Sequence, residues 1–292
     1  MKNETKVSYI CSMINLQTFI RSLERRLPPS AAMKGDKIGL QLQSARTEIS
    51  SVFVTMELTE EVTTEAIQAG ADCIVAFHPL LFAPLTALTE TERVGRICTR
   101  LISAGIALIV AHTNFDAFPQ GTSALLAERL GVRIDSPLIP DAQNLGFGIG
   151  IVGSLHAPKR IEEFTETISS VTSAPLRYTP GASSTIKRVA IVGGSGASFI
   201  DNAIDAGVDA FITADIKYHD FHRVRGIMAL IDAGHYEMEQ FVPFGLAALV
   251  KEIALEHSVT LVVTRSQTVP NPIVYFPYST EYQQGQQRII TS

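Results

Sequence analysis

Seven histidines are spread along the 292 residues, and four of them follow short apolar runs: His78 in FHP, His112 in AHTNFD, His219 in KYHDFH and His235 in GHYEME. A neutral imidazole nitrogen is a good donor to borderline metal ions. Carboxylates accompany these histidines. Asp116 lies four residues after His112, Asp220 adjoins His219, and Glu239 lies four after His235. On a helix, positions i and i+4 share a face, so His235 and Glu239 can reach one ion. Asp215 and His219 are candidates for proton transfer or substrate contact, or for supporting the ligands from behind. His156, His222 and His257 lack such partners and read as surface or structural residues. One histidine near a strand end is more often structural than a ligand. Four at corresponding places shift the balance toward a metal site.

The elements that must position them alternate. Leu16 to Leu27 has helical apolar spacing and stops at Pro28-Pro29. Val52 to Val54 reads as a strand. Thr59 caps a helix to about Ala69, closed by Gly70. Strands follow at Asp72 to Phe77 and Ile106 to Ala111, with helices at Glu92 to Ala104 and Gly121 to Leu130. Leu145 to Val152 opens a new unit as a strand, and Lys159 to Val171 is an amphipathic helix. TPGASS (Thr179 to Ser184) reads as a turn or linker. Strands are expected at Val189 to Val192, Ala210 to Thr213, Met228 to Asp232 and Val259 to Val263. A helix runs from about Glu237 or Phe241 to Ala254. Such alternation implies an α/β fold with mostly parallel strands and helices on the faces.

The two halves echo each other. AIQAGAD (Ala66 to Asp72) recurs as AIDAGVD (Ala203 to Asp209) at an offset of 137, and Gly105 to Ala117 resembles Gly226 to Glu239 with small slips. The repeat places His78, Asp215, His112 and His235 just beyond corresponding strands, where ligand sites of open α/β folds gather. The expected organisation is two similar α/β domains with mixed, mostly parallel sheets and a metal cleft between them. The first spans 1–140 and the second 141–280, with a C-terminal segment that can pack back on the first, and 281–292 form a tail. The turn Gly193-Gly194-Ser195-Gly196 is either an anion-holding loop or a tight strand-to-helix turn.

Composition narrows the function classes. Hydrophobic residues make up 46% and charged residues 18%, which excludes general disorder. Lys plus Arg is 24 and Asp plus Glu is 29, a net charge of −5, and the absence of a basic block argues against a nucleic-acid partner. No apolar run approaches the ~20 residues of a membrane span. The opening MKNETKVSYICSMINL does not read as a signal peptide. Cys11, Cys73 and Cys98 are odd in number and widely spaced, which argues against a disulfide framework and for a reducing cytoplasm.

Six stretches, in order, resemble the family named after NGG-one-interacting factor three: GDKIGLQ (Gly35 to Gln41), VAFHPLLF (Val75 to Phe82), AHTNFDAFPQG (Ala111 to Gly121), VAIVGGSG (Val189 to Gly196), ITADIKYHD (Ile212 to Asp220) and DAGHYEMEQF (Asp232 to Phe241). Bacterial members carry the names dinuclear-metal-centre protein or GTP cyclohydrolase I type 2 homologue. The resemblance implies two α/β domains, a metal site in the cleft and a toroidal homohexamer. It also implies His78, Asp116, His235 and Glu239 as metal ligands, with Asp116 bridging two ions and His112 beside it.

The sequence departs from the family's His-His-Pro motif at Phe77, which cannot bind metal, and Lys37 replaces a neutral donor beside Asp36. His112 can orient Asp116 or stand in for the ligand missing at Phe77. Asp36 and Gln41 are expected to line the cleft. Mixed His and carboxylate ligands suit one or two Zn, Mn or Fe ions per subunit. The expected function is metal-dependent hydrolysis of a nucleotide or another phosphate-bearing small molecule through a metal-activated water, with His112, Asp215 and His219 as catalytic candidates. The alternative is a non-catalytic metal-binding scaffold or regulatory protein.

Overall fold

The computed structural model describes residues 13–275. The first half contains β1 (Ile14–Asn15), α1 (Leu16–Arg26), β2 (Gly39–Leu42), β3 (Glu48–Ile49), β4 (Ser51–Thr55), α2 (Glu60–Gln68), β5 (Cys73–Ala76), α3 (Arg93–Ala104), β6 (Ala107–Val110), α4 (Thr113–Asp116) and α5 (Thr122–Arg129). The second contains β7 (Val132–Pro140), β8 (Gly148–Arg160), α6 (Ile161–Thr172), β9 (Arg177–Thr179), β10 (Thr185–Ile191), α7 (Ile200–Asp205), β11 (Ala210–Thr213), α8 (Tyr218–Val224), β12 (Ala229–Asp232) and α9 (His235–Glu239). The chain then returns to the first half as α10 (Val242–Glu256) and β13 (Val262–Arg265).

The two main sheets share one plan. The first has the order β13-β4-β5-β6-β2 and the second β7-β8-β10-β11-β12-β9. Strands β4, β5 and β6 are parallel, as are β10, β11 and β12. In each half a strand from earlier in the sequence runs antiparallel on the far edge of this trio, β2 against β6 and β9 against β12. The second sheet adds the antiparallel β7–β8 pair and is more mixed than the first. Sheet membership changes before β7, so residues 132–140 lie with the second sheet, and β13 joins the first beside β4.

Both sheets are apolar on both faces, as strands covered by helices must be. Val52, Val54, Cys73, Val75 and Ile109 face one core of the first sheet, shared with α1 and α10. Phe53, Ile74 and Leu108 face the other. The second sheet alternates likewise, with Val189, Ile191 and Ile212 on one side and Ala190, Phe211 and Leu230 on the other. Cys73 and Cys98 are buried free thiols. Among the described residues, no helix is long and apolar enough to cross a membrane.

The repeated Ala-Gly-x-Asp does the same work twice. Oδ2 of Asp72 accepts the amides of Ser50 and Ser51 at 2.8 and 3.1 Å, where β4 begins. Oδ2 of Asp209 accepts the amides of Lys187 and Arg188, each at 2.8 Å, within β10. Each carboxylate thereby ties the start of one parallel strand to the strand before it.

Several elements differ from the sequence expectation. The helix expected from Glu237 or Phe241 is two helices, α9 and α10, with Pro243 near the start of the second. The strand expected at Val259 starts at Val262, because the Val259 amide still caps α10 through the Ala254 carbonyl. The strand expected from Leu145 starts at Gly148, and Leu145 lies exposed between β7 and β8. Strands β2, β7 and β9 escape sequence reading because none has a continuous apolar run and their positions are largely half-buried or exposed. The expected tail lies outside the described residues.

Replacing Asp72 with Ala leaves two backbone amides and the Ser50 hydroxyl without their acceptor. The expected loss is about 2 kcal/mol, read from urea unfolding. Asp209→Ala, at a half-buried position, is expected to lose less.

Candidate metal centre

The site is built from the ends of parallel strands. Glu57, His78 and His112 each lie two positions beyond β4, β5 and β6, while Gly193, Asp215 and Gly234 hold the same places after β10, β11 and β12. His235 begins α9 and Glu239 ends it.

Three donors meet there. The ligand atoms of His78, His235 and Glu239 all lie within 4.8 Å of one another. Nε2 of His78 and Nε2 of His235 approach the same oxygen, Oε2 of Glu239, at 3.2 and 3.1 Å. That oxygen is buried and neither approach has hydrogen-bond geometry. The i, i+4 pairing expected of His235 and Glu239 is therefore present on α9.

Each imidazole is fixed from behind by a carboxylate. Nδ1 of His78 lies 3.0 Å from Glu57, Nδ1 of His235 lies 2.7 Å from Asp215, and Nδ1 of His112 lies 2.9 Å from Asp36. Such an arrangement turns Nε2 forward and raises its basicity, as at metal-binding histidines generally. Arg93 holds Glu57 in turn, at 3.5 Å. Asp36 also accepts from the Thr113 amide at 3.1 Å and from the Thr113 hydroxyl. Burial would raise the Asp36 carboxyl, but His112 and Thr113 hold it far below the usual range.

The electrostatics favour positive charge at the meeting point. Burial would raise the Glu239 carboxyl, yet the two imidazoles hold it at about 2. Burial would lower His78 and His235, but Glu239 with Glu57 carries the first to about 10, and Glu239 with Asp215 carries the second to about 9. Asp116 moves the other way. Burial, then the charge of Glu239, pushes it up to about 7 against the opposing effect of Thr122. Its Oδ1 is sealed from solvent with no hydrogen-bond partner.

These residues fit a divalent cation. Two imidazole nitrogens and a carboxylate oxygen are a common first-row donor set, and bond lengths of about 2.0–2.2 Å suit ligand atoms spaced this closely. The partnerless oxygens of Glu239 and Asp116 are the buried acceptors such a cation satisfies.

The other expected site residues fall around this trio. Asp116 and His112 border it, and Phe77 fills the space beside them. The Phe77 ring is fully buried, with centroids 5.0 Å from His78 and 5.2 Å from His112. Asp215 serves His235 as described. His219 lies exposed on α8 with its ring against Tyr218, and among the described residues no hydrogen bond ties it to the centre. Gln41 ties the loop after His78, accepting from the Leu81 amide at 2.8 Å and donating to the Leu81 carbonyl at 3.2 Å.

Comparison with known proteins places the chain in a family. Residues 14–272 match the Duf34/NIF3 (NGG1p interacting factor 3) family. The chain belongs to that family. A Streptomyces coelicolor protein named GTP cyclohydrolase 1 type 2 homolog is 34% identical over 268 residues, covering 89% of this chain and 94% of its own. A Nostoc protein of the same name is 37% identical over 198 residues, covering 66% and 74%. Among solved structures, a Staphylococcus aureus hypothetical protein has a TM-score of 0.83 at 28% identity and covers 90% of this chain and 99% of its own. A Bacillus cereus protein related to NIF3 has a TM-score of 0.80 at 23% identity, with the same coverage, and shares the fold. The NIF3 fold thus accounts for the two similar halves.

Two contributors were not singled out by sequence reasoning. Glu57 occupies the strand-end position after β4 that His78 occupies after β5, and that regularity was the available signal. Gly194, expected as part of an anion-holding loop or a tight turn, lies against the centre. Its φ is +63°, and an added Cβ would stand 2.3 Å from Oε1 of Glu239 and 3.3 Å from Nε2 of His235. Gly194→Ala is expected to displace Glu239 and weaken metal binding at least tenfold, which costs about 1.4 kcal/mol. Calorimetric titration with zinc checks this.

Proposed function

We propose that this chain is a cytoplasmic, metal-dependent hydrolase that acts on a nucleotide or another phosphate-bearing small molecule. The observation that carries the reading is the meeting of two carboxylate-backed imidazoles at one buried oxygen of Glu239. His78, His235 and Glu239 would hold a divalent Zn, Mn or Fe ion. When bound, such an ion would supply Lewis acidity and lower the pKa of a water.

The chain's own residues do the rest. Glu57 and Asp215 keep the two imidazoles aimed forward. Asp116 offers Oδ1 as the oxygen donor from the first half, and Asp36 orients His112 beside it. Phe77 and Phe115, both fully buried, keep water from the sheet side of the centre. The names of the relatives favour a purine nucleotide as substrate and ring opening as the hydrolytic step.

His235→Ala is expected to abolish metal content and hydrolysis while the thermal unfolding profile stays cooperative. Elemental analysis and circular dichroism on the same sample check this. Retained turnover in that variant would sink the mechanism.

One observation favours a second reading, a metal-binding scaffold without catalysis. Phe77 puts an apolar ring, which cannot bind metal, beside His112, and this favours one ion over two. Phe77→His is expected to raise metal content from about one to about two ions per chain. Turnover that appears only in that variant supports the scaffold reading for the natural chain.

The homohexamer implied by the sequence resemblance belongs to the same proposal. Light scattering should then give a mass of about six times 31.7 kDa.

A further inference from the structure

A cavity of about 510 Å3 opens between β9 and α8, on the second half and outside the metal centre. Its volume lies within the range of small-molecule sites. Arg177, Tyr178, Tyr218, Phe221, His222 and Arg225 carry its chemistry. Arg177 is fixed in place. It donates to the Ile216 carbonyl at 3.1 Å, pairs with Asp232, and lies 5.7 Å from the Phe221 ring centre. The Tyr218 ring is edge-on to His222 at 4.7 Å.

The remaining donors are unspent. Among the described residues, the hydroxyls of Tyr178 and Tyr218, the His222 ring and the Arg225 guanidinium have no hydrogen bond or ion pair. No carboxylate lines the cavity in a chain of net charge −5. A bare anion would use the guanidinium and leave the aromatic faces idle. An apolar ligand would leave the guanidinium and hydroxyls unpaired. A flat ring that carries an anionic group uses both.

The wall of the cavity is also the support of the centre. Arg177 bonds the carbonyl of Ile216, next to the Asp215 that holds His235. Its partner Asp232 accepts the Gly234 amide at 3.2 Å, next to His235 itself. We infer that this cavity binds a heteroaromatic ring that carries a phosphate, at a site separate from the metal centre and linked to it through the Arg177–Asp232 pair. The ligand class is then a nucleoside phosphate. This site is distinct from the one that carries the proposed function, and ring binding here needs no metal.

The test is calorimetric titration of the full chain with guanosine 5′-monophosphate, guanosine and inorganic phosphate. Tyr218→Ala and Arg225→Ala are titrated beside it, both positions being exposed. The nucleotide is expected to bind more tightly than either fragment, and each variant to weaken it about tenfold with unchanged circular dichroism. Absence of nucleotide binding by the natural chain, unchanged affinity in both variants, or phosphate binding as tightly as the nucleotide overturns the inference. Metal content of the same samples separates the two readings. Bound metal without nucleotide binding removes the pocket alone, and nucleotide binding without metal removes the metal centre alone.

Discussion

The structure turns on one demand, that Glu239 keep a negative charge where it is 3% exposed. An unpaired buried carboxylate is costly, so positive charge must be brought to it. Two imidazoles meet that demand, one from each half of the chain. His78 arrives from the end of β5 and His235 from the start of α9. Their rings are useful only when their orientation is set, and Glu57 and Asp215 set it from behind. The duplicated architecture provides this economically, because equivalent strand ends put His78 and Asp215 at equivalent places.

The halves diverge where chemistry requires it. After the middle strand, the first half carries a forward donor, His78, and the second a supporting acid, Asp215. After the first parallel strand the roles reverse: Glu57 supports from one side, while the glycine turn on the other lets Glu239 approach the backbone. A symmetric pair of identical sites would have crowded like charges together. The asymmetric version places Glu57 and Asp215 behind the imidazoles and leaves Glu239 as the carboxylate on which both converge. The α10–β13 segment then crosses back to the first half and extends its sheet beside β4. The polypeptide thus crosses between the halves twice, at α5–β7 and at α9–α10, which holds both contributions to the centre in register.

Phe77 shows how one position alters such a centre without altering the fold. It continues the apolar face formed by Cys73 and Val75, and its ring packs edge-on to Phe115 at 6.3 Å. In that place an aromatic ring satisfies the core as well as a histidine would satisfy a metal. His112, held by Asp36, remains beside it with Asp116.

Much of this was legible along the chain because it depends on local rules. Apolar runs bounded by glycines marked the parallel strands, and the recurrence of Ala-Gly-x-Asp marked the duplication, since Asp72 and Asp209 each hold two amides of the preceding parallel strand or its edge. The i, i+4 spacing of His235 and Glu239 announced a shared helical face. Three things depended on contacts between residues far apart. Antiparallel β2, β7 and β9 are defined by the strands they pair with and not by their own sequences. Glu57 and Gly194 gain meaning only from His78 and Glu239, which lie far from them in sequence. His219 shares its segment with Asp215, yet α8 carries it to the surface. Residue type and spacing determined which groups could bind a metal; tertiary structure decided which of them meet, because convergence of side chains from two sheets is a property of their packing.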